Sequence, residues 1–413
     1  MGYNTGLSGL AAATNDLDVI GNNISNANTV GFKQSAAQFA DVYANSIATS
    51  VNNQIGIGTQ LAAVQQDFSQ GTITTTGQAL NVAINGTGFF QMNNNGTLTY
   101  SRNGVFQLDK NGNITNAEGL KLMGYTANSS GVINTASTVP LQVPTTNVAP
   151  TATSNITAQL NLDSQDTTPT VTPFSATNSQ TYNYSTSIQT YDSLGGTNQV
   201  NMYFVNNGGG TWTVYGGKSS GTISALGTMT FNSSGTLTGT TATGAGVTSP
   251  ATGEFTFTIP TTDGSTTPQS LTLNLTGTTM YGSADGVNNL AQDGFASGQL
   301  TNFSIGSNGT LTGNYSNGQT QALGQIVLAN FNNPNGLTDL GGNEFAQTTA
   351  SGVPQISAPG STNHGTLTGG AIEASNVDLT TQLVDLITAQ RNYQANAQTI
   401  KTQQTVDQTL INL

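Results

Sequence analysis

The stretch Asn23-Ile24-Ser25-Asn26-Ala27-Asn28-Thr29-Val30-Gly31-Phe32-Lys33 marks a change of pattern in the chain. Upstream of it, Leu7, Leu10, Leu17, Ile20 and Ile24 follow one another at steps of three, seven, three and four, one stripe of an amphipathic helix. Asn22, Asn23, Ser25, Asn26 and Asn28 then end that helix, because short polar side chains compete for backbone hydrogen bonds. The spacing predicts a helix over Tyr3 to Asn23, roughly 30 Å long at 1.5 Å per residue. Downstream, residues 31–72 read as an extended connector.

The far end of the chain repeats the helical pattern. Leu379, Leu383, Leu386, Tyr393, Ala397 and Ile400 keep a three-and-four spacing, with Gln390 in the heptad place between Leu386 and Tyr393. The stripe then shifts to Val406, Leu410 and Leu413. Asn376 is the expected N-cap, and Asp378 suits the positive end of the helix dipole. Roughly 35 residues of helix within 371–413 would reach about 50 Å. Neither helix can bury its narrow stripe alone, so the first (residues 1–30) and last are expected to pair, as a coiled coil that also packs on copies of itself. An ordinary helical cap on a β domain is the plainer alternative.

Between the helices the pattern changes to period two. Leu80 to Asn85, Gln199 to Val205 and Glu254 to Ile259 alternate apolar and polar residues, as half-buried strands do. Asn95-Gly96, Asn103-Gly104, Asn111-Gly112, Asn207-Gly208, Asn308-Gly309 and Asn317-Gly318 offer the left-handed residues of tight hairpins. The fold class is therefore mainly β, with antiparallel domains and a coiled coil of the two terminal α-helices. Pro140, Pro144 and Pro150 open a Thr/Ser/Asn-rich block lasting to about Ala284. This predicts a discontinuous core domain, 73–144 and 285–365, carrying a barrel-like outer domain inserted at 145–284.

Composition narrows the function. Charged residues are 6% of the 413, against roughly 25% in an average soluble protein. Nineteen acidic against seven basic side chains give a net charge of −12, so no basic surface is available for nucleic acid or an anionic membrane. No run approaches the apolar length of a membrane helix. No positive side chain precedes Lys33 and no compact apolar run follows Met1, so a classical secretion signal is not expected.

Catalytic patterns are also missing. Without cysteine there are no thiol nucleophiles or Cys-ligated metals, and the single histidine, His364, lies in a stretch that reads as an exposed loop. Gly56 to Leu61 lacks the third glycine of a dinucleotide loop. Asp109-Lys110-Asn111-Gly112-Asn113 begins like a calcium loop, but Ile114 stands where the turn glycine should be. No catalytic, cofactor or metal site is expected, and an enzyme is not.

One constellation is specific. Asn23 to Lys33, directly after an amphipathic helix, resembles the signature of the bacterial flagellar rod and hook protein family, carried by Asn26, Ala27, Thr29, Gly31, Phe32 and Lys33. Thr75 to Ile84 with Gly88-Phe89-Phe90, and Tyr100 to Phe106, are similar to the family's next blocks. Tyr315 to Gln321, Ile326 to Phe331, Glu373 to Leu379 and Gln390 to Asn396 complete the pattern. The length and the inserted block favour the hook branch over the shorter distal rod proteins.

The resemblance implies a tubular homopolymer, flexible as a universal joint, at the flagellum outside the cell. It also implies rod, hook cap and hook–filament junction proteins as partners, with delivery by the flagellar type III export apparatus. Subunit assembly is expected to use Leu7, Leu10, Leu17, Ile20, Ile24, Leu379, Leu383, Leu386, Tyr393 and Ile400.

Overall fold

The computed structural model describes residues 2–42, 56–361 and 363–411. Part of the expected connector (43–55), Leu413 and the side chain of Leu410 lie outside the described residues. The chain forms two compact units, Met1–Thr145 with Asn302–Asn314 and Thr320–Leu413, and Thr146–Thr301 with Tyr315–Gln319.

In the first unit, helix α1 (Gly2–Ser25) and helix α2 (Leu379–Ile411) lie antiparallel, since Gly6 faces Ile400 while Asn23 bonds Gln382. The cap of α2 is Asp378, whose carboxylate accepts from the Thr380 and Thr381 amides. Asn376, expected in that role, is instead used to hold the connector. Its Oδ1 accepts from the Gln34 amide, and its Nδ2 donates to Asp67 O and Ser69.

The connector doubles back as an antiparallel ribbon of β1 (Ser35–Val42) and β2 (Gly58–Gln66), with a register shift between Gln38 and Phe39. Beyond it, Ile73–Thr75 pairs with Ala371–Glu373, and Val82–Asn85 with Thr366–Gly369. The two chain directions thus run side by side before reaching the helices. The sheet behind them places Phe89–Asn94 against Thr97–Ser101 and Lys121–Thr126. Phe89, Tyr100, Phe331 and Phe345 pack edge to face beneath it, Tyr100 and Phe331 at 4.8 Å between centroids.

Of the Asn-Gly pairs expected to make hairpins, only Asn95-Gly96 has both residues at positive φ (49° and 105°), as a primed turn requires. At Asn111, Asn207, Asn308 and Asn317 only the following glycine is left-handed, and Gly104 is not left-handed at all. Gly104 answers to space. A Cβ there would sit 1.7 Å from the Val82 carbonyl oxygen.

The second unit sets a five-stranded sheet, ordered Tyr184–Tyr191, Thr197–Gly208, Thr211–Lys218, Ser224–Phe231, Leu237–Ala242, and a four-stranded one over a single core. Val200, Met202 and Phe204 from one sheet and Phe255, Phe257 and Ile259 from the other point inward, with Trp212 fully buried between them. Thr279 bridges Asn161 and Thr236, linking the sheets at one side.

Two expectations change here. Gly286–Gln292 pairs with Asn155–Asn161, so the compact unit extends past the expected boundary at 284 to Thr301. One pairing, Asn155–Asn161 with Gln269–Asn274, is parallel in a sheet expected to be antiparallel throughout.

Candidate assembly surface and the junction beneath it

The residues after α1 are placed by short-range polar chemistry. The Asn26 carboxamide accepts from the Thr29 hydroxyl, and the Thr29 amide returns to Asn26 O. Ala27 and Phe32 are half-buried. Gly31 has φ +72°, and a Cβ there would lie 2.7 Å from the Asn103 amide nitrogen. This glycine therefore lets the chain pass against the core while its amide donates to Glu373 O at 2.8 Å.

That approach delivers Lys33 to a closed junction. Lys33 Nζ donates to Glu373 Oε1 at 2.7 Å and to Ser69 O at 2.6 Å. Arg102 reaches the same carboxylate through Nε and Nη2, while its Nη1 donates to Gly86 O and Gly88 O. The Gly71 amide also donates to Glu373 Oε1. Burial, and then the Arg102 charge, push the Lys33 ammonium below its usual pKa, against the pull of Glu373. Among the described residues these are the only ion pairs, so two of the chain's seven cations converge on one buried carboxylate. Each donor nitrogen of Lys33 and Arg102 has at least one acceptor, which is what allows such a group to be buried.

Above the junction the helices meet through small and polar residues. Gly6, Gly9, Ala13, Ile20 and Asn23 of α1 face Gln382, Ala389, Asn396 and Ile400 of α2. A Cβ on Gly9 would lie 2.6 Å from Asn396 Oδ1, and one on Gly6 2.9 Å from Ile400 Cγ1. The large apolar residues expected at assembly contacts divide accordingly. Ile20 is buried, and Leu10, Leu17, Ile24, Leu386 and Ile400 are half-buried. Leu7, Leu379, Leu383 and Tyr393 are 50, 44, 49 and 39% exposed, and so are not consumed by the pairing within the chain. Val384 and Ile387, which the heptad reading left out, are exposed beside them. The seam went unread because glycine and asparagine carry no hydrophobic signal.

The sole histidine is tied into its turn. His364 Nε2 lies 2.9 Å from Gln355 O and Nδ1 3.3 Å from Ser361 Oγ. Among the described residues no cluster of potential ligands could hold a metal ion, and no helix is long and apolar enough to cross a membrane.

Residues 4–33 match the family described as flagella basal body rod protein, and 368–413 the flagellar basal body rod FlgEFG protein C-terminal family. Residues 83–161 match the flagellar hook protein FlgE/F/G D1 domain, and 161–295 the flagellar basal body protein FlaE D2 domain. The chain is 44% identical to the flagellar hook protein FlgE of Escherichia coli K12 and 42% identical to that of Salmonella typhimurium LT2, each over 100% of both chains. It is 31% identical to that of Treponema pallidum, over 99% of this chain and 98% of the relative. A crystal structure of Helicobacter pylori FlgE2 shares its fold at a TM-score of 0.50 and 14% identity, covering 73% of this chain and 100% of that one. The chain belongs to the flagellar hook protein family and is a structural subunit of the hook.

Proposed function

We propose that the subunit polymerises through the outer face of its paired terminal helices into a curved, flexible tube that transmits motor torque to the filament. The observation that carries this is the half-exposed Leu7 at one end of the helix pair and the half-exposed Leu379 and Leu383 at the other, none of them taken up by the seam within the chain. Apolar area on this scale is costly in water, at about 25 cal/mol per Å², and neighbouring copies would remove it. Ile20, buried, and Leu10, Leu17, Ile24, Leu386 and Ile400, half-buried, support that face from within the pair, and Tyr393 is exposed on the pair. Asn26, Ala27, Thr29, Gly31, Phe32 and Lys33 set the point from which it rises.

The remainder of the chain forms a core domain and an outer domain, and the outer one meets its neighbours during bending. Its surface is rich in Thr, Ser, Asn and Gly, with Lys218 its sole cation between residues 145 and 301. Short neutral side chains exchange water-mediated hydrogen bonds at small cost, so contacts can change once per rotation without a preferred register. Such a tube would stand outside the cell, joined to rod, hook cap and hook–filament junction proteins after delivery by the flagellar export apparatus.

The test is Leu383→Ser, at a site about half exposed in the single chain. Helix content by circular dichroism should stay at the parent level while sedimentable tubes disappear. Normal tubes from this variant would refute the role given to the helical face.

A further inference from the structure

The helix pair distributes its charges unevenly. Asp16 of α1 and Asp385 of α2 share a cleft of about 280 Å³ between the helices and β1, lined also by Ile20, Asn23, Ala37 and Ala389. Among the described residues no cation pairs with either carboxylate, since their ion pairs all lie on Glu373. Burial, and then the charge of Asp385, raise the pKa of Asp16 above its ordinary value, so the two carboxylates repel across the cleft. Among the described residues no group of three or more His, Asp or Glu side chains comes together here or elsewhere to hold a metal ion.

The cations of the same helices are elsewhere. Arg391 and Lys401 are exposed on α2 and pair with no carboxylate among the described residues. Arg391 follows Asp385 by six positions, which places it about 120° away around the helix at 3.6 residues per turn. It therefore faces sideways, away from its own chain's cleft.

We propose that neighbouring copies of this chain dock laterally by charge. The Asp16–Asp385 cleft of one copy receives a cationic side chain of α2, Arg391 or Lys401, from the next, while the exposed Leu379, Leu383 and Ile387 close beside it. This rests on the helical-face reading above and names its register. Apolar contact alone tolerates sliding, whereas a cation between two carboxylates fixes one offset. A guanidinium, planar and with five donors, can bridge both carboxylates at once, and an ammonium can do so only as a point charge.

The experiment uses purified full-length chains with helix content checked by circular dichroism, and reads the critical concentration for sedimentable tubes. Asp385→Lys is expected to raise it at least ten-fold. Combining Asp16→Lys and Asp385→Lys with either Arg391→Glu or Lys401→Glu, so that both carboxylates and the cation they receive are charge-reversed, should return it to within two-fold of the parent. The combination that restores assembly identifies the donor. Failure of both combinations, or parent-like assembly by Asp385→Lys, overturns the proposal. If Leu383→Ser still prevents assembly in that case, the helical face stands and only its register has been misassigned.

Discussion

Lys33 and Glu373 are 340 residues apart in the chain, yet Nζ and Oε1 meet at 2.7 Å with both side chains fully buried. Arg102 shares that carboxylate, so one anion holds two cations. Removing one partner of a buried pair costs about 3–5 kcal/mol, chiefly because the other charge is left uncompensated. Glu373→Gln strands two cations and should destabilise the first unit by at least about 3 kcal/mol in urea unfolding. Lys33→Met leaves Arg102 and Glu373 one to one and should cost less than half as much. Equal losses would mean that packing, not charge balance, holds the junction.

The helix seam gives a second contrast. Gly9 and Gly6 bring the helices so close that an added side chain meets Asn396 and Ile400, whereas Leu7, between them in sequence, faces outward. Gly9→Leu should separate the helices and lower the melting temperature of the single chain, since overpacking costs about 1–3 kcal/mol. Leu7→Ser should leave the melting curve unchanged and weaken assembly. If Leu7→Ser melts early instead, this leucine is packing within its own chain.

These contrasts also explain what could be read in advance. Strands with clean alternation were legible: Val200, Met202 and Phe204 are all buried, as are Phe255, Phe257 and Ile259. The junction was not. Lys33 was identifiable from its motif, but nothing local to Arg102 or Glu373 says that the topology brings both to it. The N-cap failed for a related reason, because Asn376 and Asp378 are both competent caps and a tertiary contact to Gln34 decided between them. The seam needed an inference beyond the usual one, since Gly6, Gly9 and Asn396 mark contact there beside the buried Ile20, while Leu7, Leu379 and Leu383 stay exposed.

Gly104 tests the argument from space at a single position. Its φ is ordinary, so its need for glycine rests on the Val82 carbonyl oxygen 1.7 Å from a would-be Cβ, a backbone atom of the residue whose amide donates to Gly104 O. Gly104→Ala should cost about 1–3 kcal/mol or more. Gly21, in α1 with nothing within 4 Å, provides the control. Gly21→Ala should be neutral or stabilise by up to about 1 kcal/mol through helix propensity. Both are measurable by thermal unfolding, and a neutral Gly104→Ala would show that the strand yields freely.

Asp293 makes the stability of the second unit depend on acid in a definite direction. Burial alone would raise its pKa, but bonds from the Asn155 amide, the Ser154 hydroxyl and amide, and the Asn155 side chain outweigh it and hold the group at about 2, below its ordinary 3.8. A carboxyl lowered on folding contributes its stability above the unfolded value and loses it as pH falls through the folded one. The contribution is therefore complete above about pH 5 and fades between 3.8 and about 2. The group is largely exposed, so solvent screening limits it to about 1 kcal/mol. Trp212, the only tryptophan, is buried in that unit's core and reports its unfolding by fluorescence. The stability gap between parent and Asp293→Asn should be widest near neutrality and close as pH drops through that window. A gap that stays constant down to about pH 2 would mean that the loop is held by hydrogen bonds indifferent to the charge of Asp293.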